Sequence, residues 1–132
     1  MAETTLADEA EQYLRILAEP DSEPGEHECL ACYVARMLTA HGCDTTLRWA
    51  KRFRDLRVPT ATALERRLGS VGGYCDCEIL LNGYGLVREL LVRDIDTDEL
   101  EPPTVPPVCA GVRRSSAKPC INWERRSRYP RW

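Results

Sequence analysis

The chain has 132 residues, of which 43% are hydrophobic and 30% charged, and its formal net charge is −3. That length suits one compact domain and is short for two, and the composition excludes a wholly disordered chain. No apolar run approaches the roughly 20 residues of a membrane-spanning helix, and the acidic N-terminus lacks a signal peptide's basic start, so a cytoplasmic setting is expected.

In chain order, residues 5–18 predict a first helix, with Leu6, Ala10, Tyr13, Leu14 and Leu17 at steps of three and four. Pro20 and the stretch DSEPG break it. Residues 30–41 predict a second helix on Leu30, Val34, Met37 and Leu38, stopped at Gly42. Residues 45–57 predict a third on Leu47, Ala50, Phe53 and Leu56, capped by Asp44 or Thr45 and ended at Val58-Pro59. A fourth runs from Thr60 to Leu68. Gly72-Gly73 then precedes Tyr74-Cys75-Asp76-Cys77. Glu78–Asn82 reads as a short strand, with Leu86–Val92 pairing back or coiling into a helix. Four prolines in residues 101–108 impose an extended crossing before a basic tail.

Cysteine is the unusual component: seven, beside two histidines. An odd count in a chain with no evident secretory signal argues for metal ligation over a disulfide framework. Cys29 and Cys32 form C-x-x-C at the entrance of the second helix, where exposed amide groups and the helix dipole favour the thiolates that zinc requires. A redox pair or two inert buried thiols are the competing readings. Cys75 and Cys77 form C-x-C after a Gly-Gly turn, and a tight knuckle there can aim both sulfurs at one ion. Cys43 follows Gly42 at a helix junction, and Cys109 and Cys120 flank a loop containing Gly111 and Pro119. A closed zinc site takes four ligands, so seven cysteines fall one short of two all-cysteine sites. His41, His27, an acid or water can supply the eighth. An iron–sulfur cluster is the alternative occupant.

Two blocks, Gly42-Cys43-Asp44-Thr45-Thr46-Leu47-Arg48 and Gly72-Gly73-Tyr74-Cys75-Asp76-Cys77-Glu78-Ile79-Leu80-Leu81-Asn82, resemble a bacterial family of small proteins of unknown function. That family carries a GCD-(H)T-LR segment followed by GGYCDCEVL. The outer layout, Cys29–Cys32 before these blocks and Cys109 to Cys120 after them, resembles an actinobacterial branch. The resemblance implies a division of ligands: Cys43, Cys75 and Cys77 in the shared region, and Cys29, Cys32, Cys109 and Cys120 outside it. Where family members often have His, this chain has Thr45, and His41 is the expected fourth ligand of the first site. Two zinc ions are expected, with one as the lesser alternative, the second stapling the tail to the second helix.

Charge is polarised: residues 1–28 hold nine acids and one arginine, residues 109–132 one acid and seven bases. The third helix adds Arg48, Lys51 and Arg52 around Trp49, and the tail adds Arg125, Arg126 and Arg128. Such interleaving of cations and aromatics suits nucleic-acid contacts, although solvated helix faces and internal pairing with the acidic end produce the same pattern. A metalloenzyme with a three-cysteine zinc and an open ligand position is a further alternative. Against it, thiolate-rich zinc is a poor Lewis acid and none of the familiar hydrolase or deaminase motifs is present. The expectation is therefore a single zinc-binding α+β domain over residues 1–132: an acidic N-terminal helix and loop (1–28), a core (29–100), and a proline-rich crossing with a basic tail (101–132). It is mostly helical, with a Gly-Gly CxC knuckle, a short β-hairpin and a metal-pinned tail. It is expected to act through a protein or nucleic-acid partner, with no small-molecule substrate and no membrane association.

Overall fold

A computed structural model describes residues 6–126 as an α+β fold: five helical segments and two pairs of short antiparallel strands. Helix α1 spans Leu6–Ala18, α2 Leu30–His41, α3 Arg48–Arg57 and α4 Leu64–Ser70; a single turn, α5, spans Asp76–Glu78 and widens into a π-type turn over Ile79–Gly83. Helix α2 keeps the bounds its sequence predicts. The Cys29 sulfur accepts the Cys32 amide at its start, and Gly42 ends it in a left-handed conformation (φ +75°) that disfavours a side chain. Helix α1 buries less of its stripe than expected. Tyr13, Ile16 and Leu17 pack on the core while Leu6 and Leu14 stay exposed.

Helix α3 begins three residues later than predicted, because Asp44 is not its cap. The Asp44 carboxylate bends back to accept the Thr46 amide and hydroxyl, and Thr45 takes a left-handed conformation (φ +71°). The cap comes from far along the chain. The fully buried Asp76 carboxylate accepts the amides of Trp49 (3.0 Å) and Ala50 (3.1 Å), two of the orphan donors in the first turn of α3. In return, the Asp76 amide donates to the Thr46 carbonyl at 3.0 Å.

The core lies between α2 and α3. Leu30, Tyr33, Val34 and Met37 face Trp49, Ala50 and Phe53, with Leu64, Leu68 and Ile79 closing the far side. Tyr33 and Phe53 rings lie 5.9 Å apart, and Tyr13 meets Trp49 edge-on at 6.1 Å, arrangements that add modestly to burial. The Gly-Gly element packs tightly. A side chain at Gly72, which sits at φ +85°, would come within 2.9 Å of Asn82 Cβ, and one at Gly73 within 3.2 Å of the Leu68 carbonyl.

Glu78–Asn82, predicted as a strand, is helical instead. A short apolar run such as Ile-Leu-Leu does not distinguish a strand from a buried helical turn. Here the turn that Asp76 starts carries through to Gly83, placing Ile79 in the core. Strand structure begins one residue later: β1 (Tyr84–Leu86) pairs antiparallel with β4 (Trp123–Arg125), matching Leu86 to Trp123. The short hairpin is β2 (Val92–Arg93) against β3 (Leu100–Glu101), and no helix or strand covers residues 102–122, including the proline-rich crossing. The tail returns to the body through Val87, whose amide donates to the Asn122 carbonyl at 2.9 Å.

Replacing Asp76 with Ala removes the cap and strands two buried amides, so Asp76→Ala should cost about 2–4 kcal/mol in urea unfolding. Asp44→Ala, which frees only a solvent-exposed turn, should cost less than about 1 kcal/mol in the same measurement.

Candidate metal centres

All seven cysteines are free thiols, and they fall into two groups. In the first, the sulfurs of Cys29, Cys32, Cys109 and Cys120 all lie within 4.8 Å of one another. Cys29 caps α2 and Cys32 projects from its first turn, so both sulfurs sit at the positive end of the helix. The other two arrive on the tail. That segment is held by a reciprocal pair of hydrogen bonds in which the Val112 amide donates to the His27 carbonyl (2.9 Å) and His27 Nδ1 donates to the Val112 carbonyl (3.2 Å). His27 is thereby committed to holding the tail.

Hydrogen-bond donors surround these sulfurs. The Cys29 and Gly111 amides donate to Cys109 Sγ at 3.3 and 3.4 Å, and Trp123 Nε1 donates to Cys32 Sγ at 3.2 Å. Such donors offset the negative charge that collects when four thiolates share one ion. The protons are unequally shared. The Cys32 thiol's hydrogen bond to Cys29 outweighs burial and holds Cys29 down at about 5, while that same bond, together with burial, pushes Cys32 up. Burial also raises Cys120, against the amides of Asn122 and Ala110. A divalent ion bound by these sulfurs would displace the protons that they carry.

In the second group, the sulfurs of Cys43, Cys75 and Cys77 lie within 4.8 Å of one another. The Asp76 cap positions them: with Asp76 anchored on α3 and on Thr46, the flanking cysteines meet Cys43 near the start of the α2–α3 connection. All three are half-buried. Burial alone would raise Cys43, but hydrogen bonds from Cys77 and from the Thr45 amide (3.4 Å) bring it down. The Cys43 hydrogen bond in turn holds Cys77 up at about 11.

His41, the expected fourth ligand, is not among these donors; its ring stacks on Trp49 with centroids 5.5 Å apart. Sequence reasoning also missed the part played by Asp76 itself. Its carboxyl is raised by burial despite two amide donors, and its function is to cap α3. The only signal was its position between two cysteines.

The arginines expected to contact nucleic acid are largely engaged. Arg52 donates to the Leu17 and Ser22 carbonyls, tying α3 to the end of α1. Arg48 stacks over Trp49 at 4.6 Å and donates to the Gly42 carbonyl at 3.1 Å. Arg126 donates to the Leu80 carbonyl from both Nε and Nη2 (2.9 and 2.8 Å). Lys51 and Arg125 are exposed, and Arg128 lies outside the described residues. Arg57, which the sequence places on the same basic helix face, instead clamps the Gly25, Glu28 and Arg114 carbonyls and so braces both segments that carry the four-sulfur group. No sequence pattern announces an apolar cavity of about 540 Å³ beside that group, where Pro103, Pro107, Leu86 and Trp123 face Ala35 on α2. Among the described residues, no helix is long and apolar enough to cross a membrane.

Residues 30–82 match the model of a family described as a protein of unknown function (DUF2695). The matched segment holds Cys32 and the whole three-sulfur group, leaving Cys29, Cys109 and Cys120 outside. Uncharacterized proteins of Mycobacterium bovis and of two Mycobacterium tuberculosis strains are each 40% identical over 55 residues, which is 42% of this chain and 56% of each relative. The matched region thus spans little more than half the length of those curated relatives. No solved structure matches the chain. Over residues 30–82 the chain is therefore similar to this unknown-function family, and the mycobacterial proteins that it resembles are themselves uncharacterized.

Proposed function

We propose that this chain is a single zinc-binding domain holding two ions, and that the metal shapes a surface recognised by a partner protein. Both cysteine groups are positioned to hold a metal ion. The observation that carries the reading is the four-sulfur group: cysteines about 80 residues apart in sequence converge with amide and indole donors already aimed at their sulfurs. Four thiolates in this arrangement suit a tetrahedral, closed, structural zinc site, and the ion's role there is to pin the tail to α2. Thiolate ligation of this kind is compatible with a reducing compartment such as the cytoplasm. A protein partner is favoured over nucleic acid because Arg48, Arg52 and Arg126 are engaged with backbone carbonyls and are not displayed as free cations for phosphates.

Elemental analysis of the purified full chain should give about two zinc per chain. The double variant Cys109→Ser/Cys120→Ser should retain one, whereas a full chain with one zinc or none would overturn the two-ion reading. Chelation should lower the unfolding free energy by roughly 4 kcal/mol for each site at which free zinc had been held a thousandfold above the dissociation constant. Because each cysteine ligand must bind as a thiolate, protons compete with the ion, so zinc should be released as pH falls and retained as it rises. A chelator-dye assay across a pH series reads this directly.

A further inference from the structure

The three-sulfur group differs from the four-sulfur group in what is missing around it. Among the described residues, no histidine or acid places a ligand atom within 4.8 Å of all three sulfurs. His41 stacks on Trp49, Asp76 caps α3, and Asp44 accepts both the amide and the hydroxyl of Thr46. The Glu78 carboxylate hydrogen-bonds the Cys75 thiol and also accepts the Asn82 side-chain amide at 3.3 Å, with Asn82 itself anchored on the Gly72 carbonyl at 3.0 Å. The chain's other histidine, His27, is bound to Val112 beside the opposite cysteine group. No third histidine exists anywhere in the 132 residues. None of the three cysteines is fully enclosed as a residue.

Resting on the reading that this group holds a divalent ion, we propose that its metal keeps a fourth position open and that a histidine imidazole of a partner protein fills it. Charge selects the donor. Three thiolates around a divalent ion leave one net negative charge, and the neighbouring acids Asp44, Asp76 and Glu78 are opposed there by Arg48, 3.8 Å from Asp44. A carboxylate or a fourth thiolate would add a second negative charge in that field, whereas a neutral imidazole adds none. Imidazole is also a normal partner of three cysteines on zinc. The centre thereby becomes a joint between two proteins, with three ligands from this chain and one from its partner, while the four-sulfur group is complete within the chain.

Cobalt(II) substituted into the full chain tests this, because its visible absorption reports both thiolate ligation and the identity of the fourth donor. Two cobalt ions should bind, one of them lost in Cys43→Ser. Imidazole, or the peptide Gly-His-Gly, should shift the bands of the ion that Cys43 holds, and acetate and 2-mercaptoethanol should not. Cys43→Ser should abolish the imidazole response. His41→Ala and Glu78→Gln should leave the ligand-free spectrum unchanged. A change in either variant means that the chain fills the position itself, and the inference falls. Bands that move with thiol or acetate and not with imidazole overturn the choice of donor, as does a spectrum none of the four moves. If a single cobalt binds and Cys43→Ser does not affect it, the metal reading of this centre fails and the inference fails with it.

Discussion

The Asp76 carboxylate, buried against the first turn of α3, is the contact on which the central architecture rests. An acid in that position is stabilised by two amide hydrogen bonds and by the helix dipole, and these oppose the cost of removing its charge from water. The consequences reach well past the cap. The bond fixes where α3 begins, sets Trp49 and Ala50 into the core, and starts the turn that buries Ile79. It also holds Cys75 and Cys77 beside Cys43. One residue therefore links packing of the helical core to assembly of the three-sulfur group, and neither is built independently of the other.

A second constraint is the use of arginine as a backbone clamp. Connections between the helices expose carbonyls that no neighbouring element satisfies, and guanidinium groups supply several donors in a rigid fork. Arg36 holds the Glu23 carbonyl and pairs with Glu28, Arg52 holds Leu17 and Ser22, and Arg57 reaches both the loop before α2 and the tail. Tyr33 adds its hydroxyl to the Ser22 carbonyl at 2.6 Å. Loops without regular structure are thereby given defined positions, which the convergence of sulfurs from three separate segments requires.

These two constraints explain what was legible in the sequence. The bounds of α2 were readable because its apolar stripe, its Gly42 stop and its cysteine cap are all local. The grouping of the cysteines in the structure follows the division implied by resemblance to a family whose shared blocks contain three of them. The start of α3 was not readable, because its cap lies 27 residues away and an aspartate between two cysteines carries no mark of its target. The helical Glu78–Asn82 turn was hidden for the same reason: packing of Ile79 against Gly73 decides its conformation, and the local apolar run does not. The arginines of α3 showed their charge in the sequence but not the carbonyls they meet.

The separation of the four cysteines along the chain orders events during synthesis. Cys43, Cys75 and Cys77 leave the ribosome within a short stretch, together with both helices that form the core, so this region has all its own parts before the tail exists. Cys29 and Cys32 emerge earlier still, yet must wait through about 80 further residues for Cys109. Closure of the group by all four sulfurs therefore cannot precede the emergence of Cys120.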